Sequence, residues 1–511
     1  MTFKNICCLT AMALTLSASA AENDGNRLVI LHTNDTHSHI DAPADGKLGG
    51  ILRRKVLIDS VRAAEKNVLL IDAGDAVQGS LYYSLFGGEV ERKLMNALGY
   101  DMQILGNHEF DSGLDVLARE WSQLNATRLA SNYDVRGTVL EELMSPYRVV
   151  EIDGKKIGFL AINIDPEGMI SADNCRGVKY LDGMKAANSM AWYLRNVEHC
   201  DIVVALTHIG YKTAPGYVDL NIAEGSEDID IIIGGHSHTL INPDEAEGLA
   251  WRVANAAGDS VLVAQAGAYG EWLGVVDIDL STGKATSKVI PVGPWLDSRI
   301  APEAAALLDP YRHQVDSILG LKVGEAVTSL TKPDWSLVNF VTDFVEYEGC
   351  KLSGKKTDLA LMNKGGIRCD MPQGDITQGL LMQMLPFDNR IVVIELSGRD
   401  LLDAFDVMAS RFGDGVSSGV TAVFDPESKK CVDVKIDGKS IDPDRIYTVS
   451  TIDYLANGGD FMKSLKNGRE IARSKSVLYD DFINYFKNGP MKGKKTKAQP
   501  GARMIAKEVN Q

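Results

Sequence analysis

Long apolar runs, basic charge in excess and histidine are what this 511-residue chain has little of. Beyond residue 20 no apolar stretch approaches the roughly 18 residues that cross a bilayer as a helix, so a helical membrane protein is excluded for the body of the chain. Lys and Arg number 53 against 69 Asp and Glu, a net charge of -16. A surface of that sign repels duplex nucleic acid, so any phosphate it takes is small and locally captured. There is no tandem repeat, which excludes solenoids and propellers. With 45% apolar and 24% charged residues, the chain can bury sizeable cores and is expected to form at least two domains.

The one apolar run of note lies at the start. Lys4 precedes an apolar segment at 6–16, and Ala18-Ser19-Ala20 offers a small-residue cleavage site, so 1–20 reads as an export signal with the mature chain starting at Ala21. Periplasmic or extracellular residence after cleavage is the expectation. Cys7 and Cys8 sit at the start of the apolar segment, well before the cleavage site, and do not form a lipid-anchor site; the polar, Lys-rich end carries no lipid-transfer signal either. Five cysteines remain: Cys175, Cys200, Cys350, Cys369 and Cys431. The odd count leaves at least one thiol unpaired, and Cys175 with Cys200 is a guess at a bridge. The oligomeric state is not legible.

Short apolar runs at 28–31, 68–71, 102–105, 157–162, 202–206, 229–233 and 261–264 alternate with amphipathic or loop segments, an α/β rhythm closed by a further run at 273–280. We divide the chain into a first domain at 21–298, a linker at 299–325, a second, smaller α/β domain at 326–495 and a polar tail at 496–511. Pro302 opens a linker helix that Pro310 should kink or split. The second domain is expected to hold a helix near 337–347, strands near 358–362 and 391–396, and a helix at 398–409.

Histidine, though scarce, is the informative residue. Seven of the nine fall at the ends of the apolar runs: His32, His37, His39, His108, His208, His236 and His238. Histidines of a core would be scattered, whereas a metal site gathers imidazoles and carboxylates where loops leave strands. In LHTNDTHSH, Asp35 and His37 are two apart and in an extended segment would point the same way. Such a pair alone is more often a turn aspartate and a surface histidine. IDAGDAVQGS places Asp75 after a strand and is equally weak alone. LGNHEFDSG is sharper: Asn107 offers a neutral oxygen, His108 a titratable ring, and Asp111 a carboxylate able to orient that ring. ALTHIG contributes His208, and IIGGHSHT contributes His236 and His238. Oxygen and imidazole donors of this kind suit Mn, Zn, Fe or Co, and two such ions can clamp a phosphoryl group.

The five clusters in this order resemble the calcineurin-like metallophosphoesterases, whose pattern is D-x-H, G-D, G-N-H-E, H and G-H-x-H. The resemblance implies a β-sandwich flanked by helices. It implies one metal held by Asp35, His37 and His238, a second by Asn107, His208 and His236, and Asp75 bridging them. His108, held by Asp111, would stabilise charge on the phosphoryl oxygens or help the leaving oxygen depart. His32 and His39 are left as supporting or structural residues.

The second half contains NKGGIR at 363–368, LPFDN at 385–389 and YLANGGD at 454–460. With the first half, these resemble the secreted 5'-nucleotidase and UDP-sugar hydrolase family across essentially the whole mature chain. The resemblance implies that Phe387 and Tyr454 stack a nucleobase, that Arg368 meets the phosphate, that Asn363 and Gly366 line the pocket, and that Asp460 accepts hydrogen bonds from ribose hydroxyls. Three departures stand out. A phosphate-binding Arg usual before a Gly-Asn-Leu helix start is missing from SLTKPDWSLVNF, where Lys332 is the candidate substitute. Position 454 is tyrosine where phenylalanine is usual. Asp460 runs directly into Phe461 without the glycine that often intervenes.

The reading with most support is an exported, two-metal phosphohydrolase acting on nucleoside 5'-monophosphates. Alternatives on the same metals are a 2',3'-cyclic nucleotide phosphodiesterase, a UDP-sugar or NAD pyrophosphatase, and a sulfur-ester hydrolase. A silent nucleotide-binding or adhesion module is the reading from a different class, and the intact ligand set argues against it.

Overall fold

A computed structural model describes residues 26–507, apart from 44–45, 215 and 246–248. The export signal expected at 1–20 lies outside the described residues. Among the described residues no helix is long and apolar enough to cross a membrane.

The first domain is a sandwich of two six-stranded sheets. One runs Ala285–Pro291, Trp272–Asp279, Arg27–Thr33, Val68–Asp72, Met102–Ile104 and Thr127–Leu129; the other runs Arg252–Ala254, Ser260–Ala264, Ile231–Ile233, Ile202–His208, Lys155–Asn163 and Tyr147–Ile152. Because strand side chains alternate, Leu28 and Ile30 enter the core between the sheets with Ile71, Phe159, Val204 and Ile233, while Val29 and Leu31 face outward to meet helices. The helices Ile51–Ala64 and Glu89–Leu98 bury Ile58, Val90 and Leu94 on that outer face. The helix Gly183–Asn196 buries Ala187, Ala191 and Leu194 against the outer face of the second sheet.

The strands Arg27–Thr33, Val68–Asp72, Met102–Ile104 and Thr127–Leu129 are parallel, as are Lys155–Asn163, Ile202–His208, Ile231–Ile233 and Ser260–Ala264. Their carboxyl ends share one edge of the sandwich, and every histidine motif lies at a strand end or on a loop leaving that edge. In α/β sheets this is where ligands bind.

The expected linker helix is split in two, Pro302–Ala306 and Asp309–Leu319, with Pro310 in the first turn of the second piece, where its missing N–H costs nothing. That second helix is tied to the first domain: Arg312 donates to Asp41 at 2.7 Å and the Tyr311 hydroxyl donates to Glu89 at 2.9 Å.

The second domain is built on a mixed five-stranded sheet in the order Gly415–Val416, Leu359–Met362, Ile446–Ile452, Ile391–Ser397 and Arg469–Arg473. The helix Ser336–Ser353 crosses it and buries Leu337, Val341, Phe344 and Val345. A further helix at Gly398–Ser410 is capped by the Ser397 hydroxyl, which accepts from Asp400 N–H at 3.2 Å.

Two expectations change. The stretch read as a polar tail is part of the fold: Lys495–Thr496 pairs parallel with Lys322–Ala326, and Met504–Ala506 with Val420–Asp425. Thr496 and Met504 are buried by that pairing. The guessed Cys175–Cys200 bridge is absent, and all five described cysteines are free thiols. Cys200 is buried under the helix Gly183–Asn196, whereas Cys175 packs against a separate cluster around Phe110 and Trp121.

Candidate metal centre and nucleotide pocket

The first two loops leaving the sheet edge are zipped together by their backbones. Asp35 N–H donates to Gly74 carbonyl at 2.9 Å, His37 N–H to Asp75 carbonyl at 3.0 Å and Ser38 N–H to Ala76 carbonyl at 3.1 Å. Asp35 and His37 reach one point, but not by the extended segment their spacing suggests: both are left-handed, with φ of 50° and 46°, and Asp75 has φ of 53°. Such conformations are costly for residues with side chains and persist where the surroundings hold them. His236 and His238, at φ of 79° and 54°, repeat the pattern.

The third loop closes on the second. His108 N–H donates to Asp75 Oδ1 at 2.9 Å, and a Cβ at Gly106 would sit 2.1 Å from that same oxygen, so only glycine fits there. Glu109 accepts from the N–H groups of Gly106, Asp75 and Ala76 at 2.7, 2.9 and 3.0 Å. Arg92 lies 3.6 Å from this buried carboxylate. Glu109 thereby fixes the backbone of two ligand loops, a role unread in the sequence although it directly follows His108.

The imidazoles and carboxylates converge. His208 Nδ1 donates to Ala73 carbonyl at 2.7 Å, which turns Nε2 inward to 3.1 Å from Asp75 Oδ2. His37 Nε2 and His238 Nε2 are 3.0 Å apart, and His238 Nε2 is 3.4 Å from Asp35 Oδ1. His236 Nδ1 lies 3.0 Å from Asn107 Oδ1, and its backbone N–H donates to Asp35 Oδ2 at 2.9 Å. Two donor sets result, Asp35 with His37 and His238, and Asp75 with His208 and His236, each with ligand atoms within 4.8 Å of one another. His108 joins His37 and Asp75 in a third such set.

The chemistry of these donors fits divalent cations. Asp35, His37, Asp75 and His208 are almost fully buried, and without a cation burial pushes the Asp35 carboxyl up to about 7 and His236 and His238 down to about 3 and 4. Burial also opposes the charges of Asp75 and His208. Their mutual attraction overcomes it, holding Asp75 well below the usual carboxylate range and raising His208 to about 10. Buried imidazole nitrogens and carboxylates that face one another at 3–4 Å are the setting in which a bound cation offsets desolvation.

His108 stands at the edge of this cluster. Its Nδ1 donates to Asp111 Oδ2 at 2.7 Å. Burial disfavours the imidazolium, but Asp111 and Asp75 outweigh it and raise the ring above its ordinary value. His39 holds the His37 carbonyl through Nδ1 at 2.8 Å and packs against the Tyr269 ring at 4.4 Å, tilted by 42°. His32 is fully buried, belongs to none of the donor sets, and lies over Gly274.

A cavity of about 830 Å³ joins the two domains. The first domain contributes Asp75, Asn107, His108, Asp111, His236 and His238; the second contributes Asn363, Gly366, Arg368, Phe387, Tyr454 and Asp460. The Phe387 ring faces the His108 ring at 5.8 Å and 30°, and the Arg368 guanidinium lies 5.9 Å from the Phe387 centroid. Asp460 is tied to Asn363, Tyr454 and Arg411. Lys332 is not among the lining residues: its Nζ donates to Ile367 carbonyl at 2.8 Å on the back of the NKGGIR turn, so it does not stand in for the missing Arg. Arg119 and Arg473 line the cavity instead, and the sequence carried no motif for either.

A sandwich with carboxylates and imidazoles at the carboxyl edge of its parallel strands is the architecture of a metallophosphoesterase. Residues 28–240 match the calcineurin-like phosphoesterase family and residues 318–467 the 5'-nucleotidase C-terminal domain, so the chain belongs to the two-domain 5'-nucleotidase family. It is 29% identical over 85% of its length to the trifunctional nucleotide phosphoesterase protein YfkN of Bacillus subtilis (strain 168), of which it spans only about a third, 32%. It is 27% identical to the 5'-nucleotidase of Bos taurus, over 86% of this chain and 84% of that one. The crystal structure of a 5'-nucleotidase precursor from Thermus thermophilus superposes with a TM-score of 0.81 at 28% identity, covering 95% of this chain and 100% of that one.

Proposed function

We propose that this chain is an exported phosphohydrolase that removes phosphate from nucleoside 5'-monophosphates with two divalent metal ions. The observation that carries the reading is the placement of Phe387 from the second domain 5.8 Å from His108 at the edge of the metal cluster, across a single cavity. One end of that cavity presents charge for a phosphate and the other a π-face for a base, and stacking contributes about 1–3 kcal/mol for any base.

Asp35, His37 and His238 would hold one ion, Asn107, His208 and His236 the other, and Asp75 both. The ions, when bound, supply Lewis acidity to the phosphoryl group and acidify a water for attack. The chain's own residues orient and balance charge around that event. Arg368 directs a planar, permanently charged fork at the phosphate oxygens. His108 donates from Nε2 to a phosphoryl or departing oxygen, and Asp111 both aligns the ring and favours its protonated form. Phe387 and Tyr454 hold the base, which places the 5'-phosphate rather than the sugar at the metal end. Export would leave the protein in the periplasm or outside the cell, and sequencing the amino terminus of protein recovered there should read from Ala21.

The test is phosphate release from AMP, UDP-glucose, a 2',3'-cyclic nucleotide and 4-nitrophenyl phosphate, with Mn or Co added and with EDTA. Fast, EDTA-sensitive release from AMP is expected. An inert AMP beside a cleaved diester or UDP-sugar would overturn the substrate assignment, and no cleavage by metal-loaded protein would return the silent-module reading.

A further inference from the structure

The histidines of the two donor sets are braced in different ways. A metal-binding histidine ordinarily donates from its second ring nitrogen to an oxygen that fixes the ring. His208 follows this rule, with Nδ1 donating to Ala73 carbonyl at 2.7 Å. In the first set neither histidine does. His37 Nδ1 is buried without a hydrogen-bond partner, and among the described residues the His238 ring meets a hydrogen-bond partner only through Nε2, at His37 Nε2.

Beside these two rings lies an aromatic one. Tyr269 sits on the loop between the strands Ser260–Ala264 and Trp272–Asp279, with its ring centroid 5.9 Å from that of His37 and 5.4 Å from that of His238, the latter at 80°, edge to face. At 4.4 Å it also meets His39, which holds the His37 carbonyl. Angled ring pairs of this kind are the favoured arrangement of aromatic groups and resist turning. The rings of the second set pack on each other instead, His208 and His236 being 5.3 Å apart.

The backbone holds the Tyr269 ring in place at some cost. Tyr269 is left-handed, at φ of 59°, unusual for a bulky side chain, and its N–H donates at 2.7 Å to the carbonyl of Asp35, itself a donor of the first set. Gly270 follows at φ of 66° and lies against the buried Arg54 guanidinium, where a Cβ would come within 2.9 Å of Nη2. Tyr269 is not among the residues lining the cavity, so contact with substrate does not account for it.

We propose that Tyr269 is a positioning residue for the first of the two ions, its ring taking the place of the missing hydrogen bonds by holding His37 and His238 in the orientation that binds that ion. The ring acts by packing, which limits the freedom the two imidazoles lose on binding, and the hydroxyl plays no part. The inference rests on the two-metal reading above.

The experiment measures the metal content of the full chain by elemental analysis across free Mn concentrations set by a chelator, with thermal melting as the check on folding. The native protein should fill two sites. Tyr269→Ala should need about tenfold more free Mn to fill one of them, the lower end of the range for groups behind a metal ligand, and leave the other unmoved. Tyr269→Phe should match the native protein within about twofold. Added to His238→Ala, which removes a ligand of the first ion, Tyr269→Ala should have no further effect on the ion that remains. Tyr269→Gly, free of the backbone strain at this φ, should repeat the Tyr269→Ala result, so that a poorly folded alanine variant does not decide the matter. Equal weakening of both ions, as a general loosening of the fold would give, would overturn the proposal. So would two unmoved sites, or a Tyr269→Phe that behaves like Tyr269→Ala. A native chain that takes up a single ion would sink the two-metal reading, and the inference would then stand or fall by whether Tyr269→Ala weakens that ion.

Discussion

The two ends of the cavity are built differently. At the metal end, side chains sit on short loops leaving parallel strands of one domain, and the loops are bonded to one another through backbone groups and through Glu109. At the base and sugar end, Asp460 is held by side chains of Asn363, Tyr454 and Arg411 and by the backbone of Gly168 in the other domain. The first is rigid because its scaffold is a sheet edge. The second depends on the two domains meeting, so changes there should alter which substrate is used more than whether the chemistry proceeds.

The largest effect that would break this contrast is at Asp75. Asp75→Ala should abolish activity by more than about a thousandfold together with loss of bound metal, measured by elemental analysis, because the residue belongs to one donor set and also groups with His37 of the other. His108→Ala should cut kcat by about a hundredfold or more with metal retained. Equal metal loss in the two variants would remove His108 from its proposed role.

A smaller effect sharpens the account of rigidity. Glu109→Gln, which exchanges a carboxylate accepting three backbone N–H bonds for an amide, should weaken metal affinity by about tenfold, the range seen when groups behind metal ligands are changed. Metal titration of the stripped protein reads this directly, and an unchanged affinity would show that the loops keep their form without it.

At the other end, Phe387→Ala should lower kcat/KM for AMP by about tenfold while 4-nitrophenyl phosphate changes by less than about twofold. A parallel loss on both substrates would make Phe387 part of the packing rather than a platform for the base. The smallest expected effect concerns the thiols. With all five described cysteines free, a reductant should shift the melting temperature by less than about 1 °C, and the chain from Ala21 should titrate as five thiols once unfolded. A drop of several degrees would require a disulfide.

Much of the metal end was legible from the sequence, because each donor follows an apolar strand and few residue types can replace a histidine or aspartate there. The route was less legible. Asp35 and His37 suggested an extended segment, but their left-handed backbone is imposed by Gly74 and Asp75 on a loop about 40 residues away in sequence. Lys332 was the candidate substitute for the missing phosphate-binding Arg until the fold placed Ile367 carbonyl against it. The end of the chain looked like a solvated tail because its composition is polar; its strand at Lys495–Thr496 exists only by pairing with Lys322–Ala326. Cysteine pairing likewise had no local signal to follow.

The sequence by itself determined the α/β sandwich, the family and the set of donors around the candidate metal centre, since periodicity and donor chemistry are local properties of short segments. Only the tertiary structure decided what those donors face and which of their atoms stay free. Asp460 shows why: its partners Tyr454, Arg411 and Asn363 lie 6, 49 and 97 residues away. Whether an oxygen still has a lone pair to offer a substrate depends on which distant groups the fold has already brought to it.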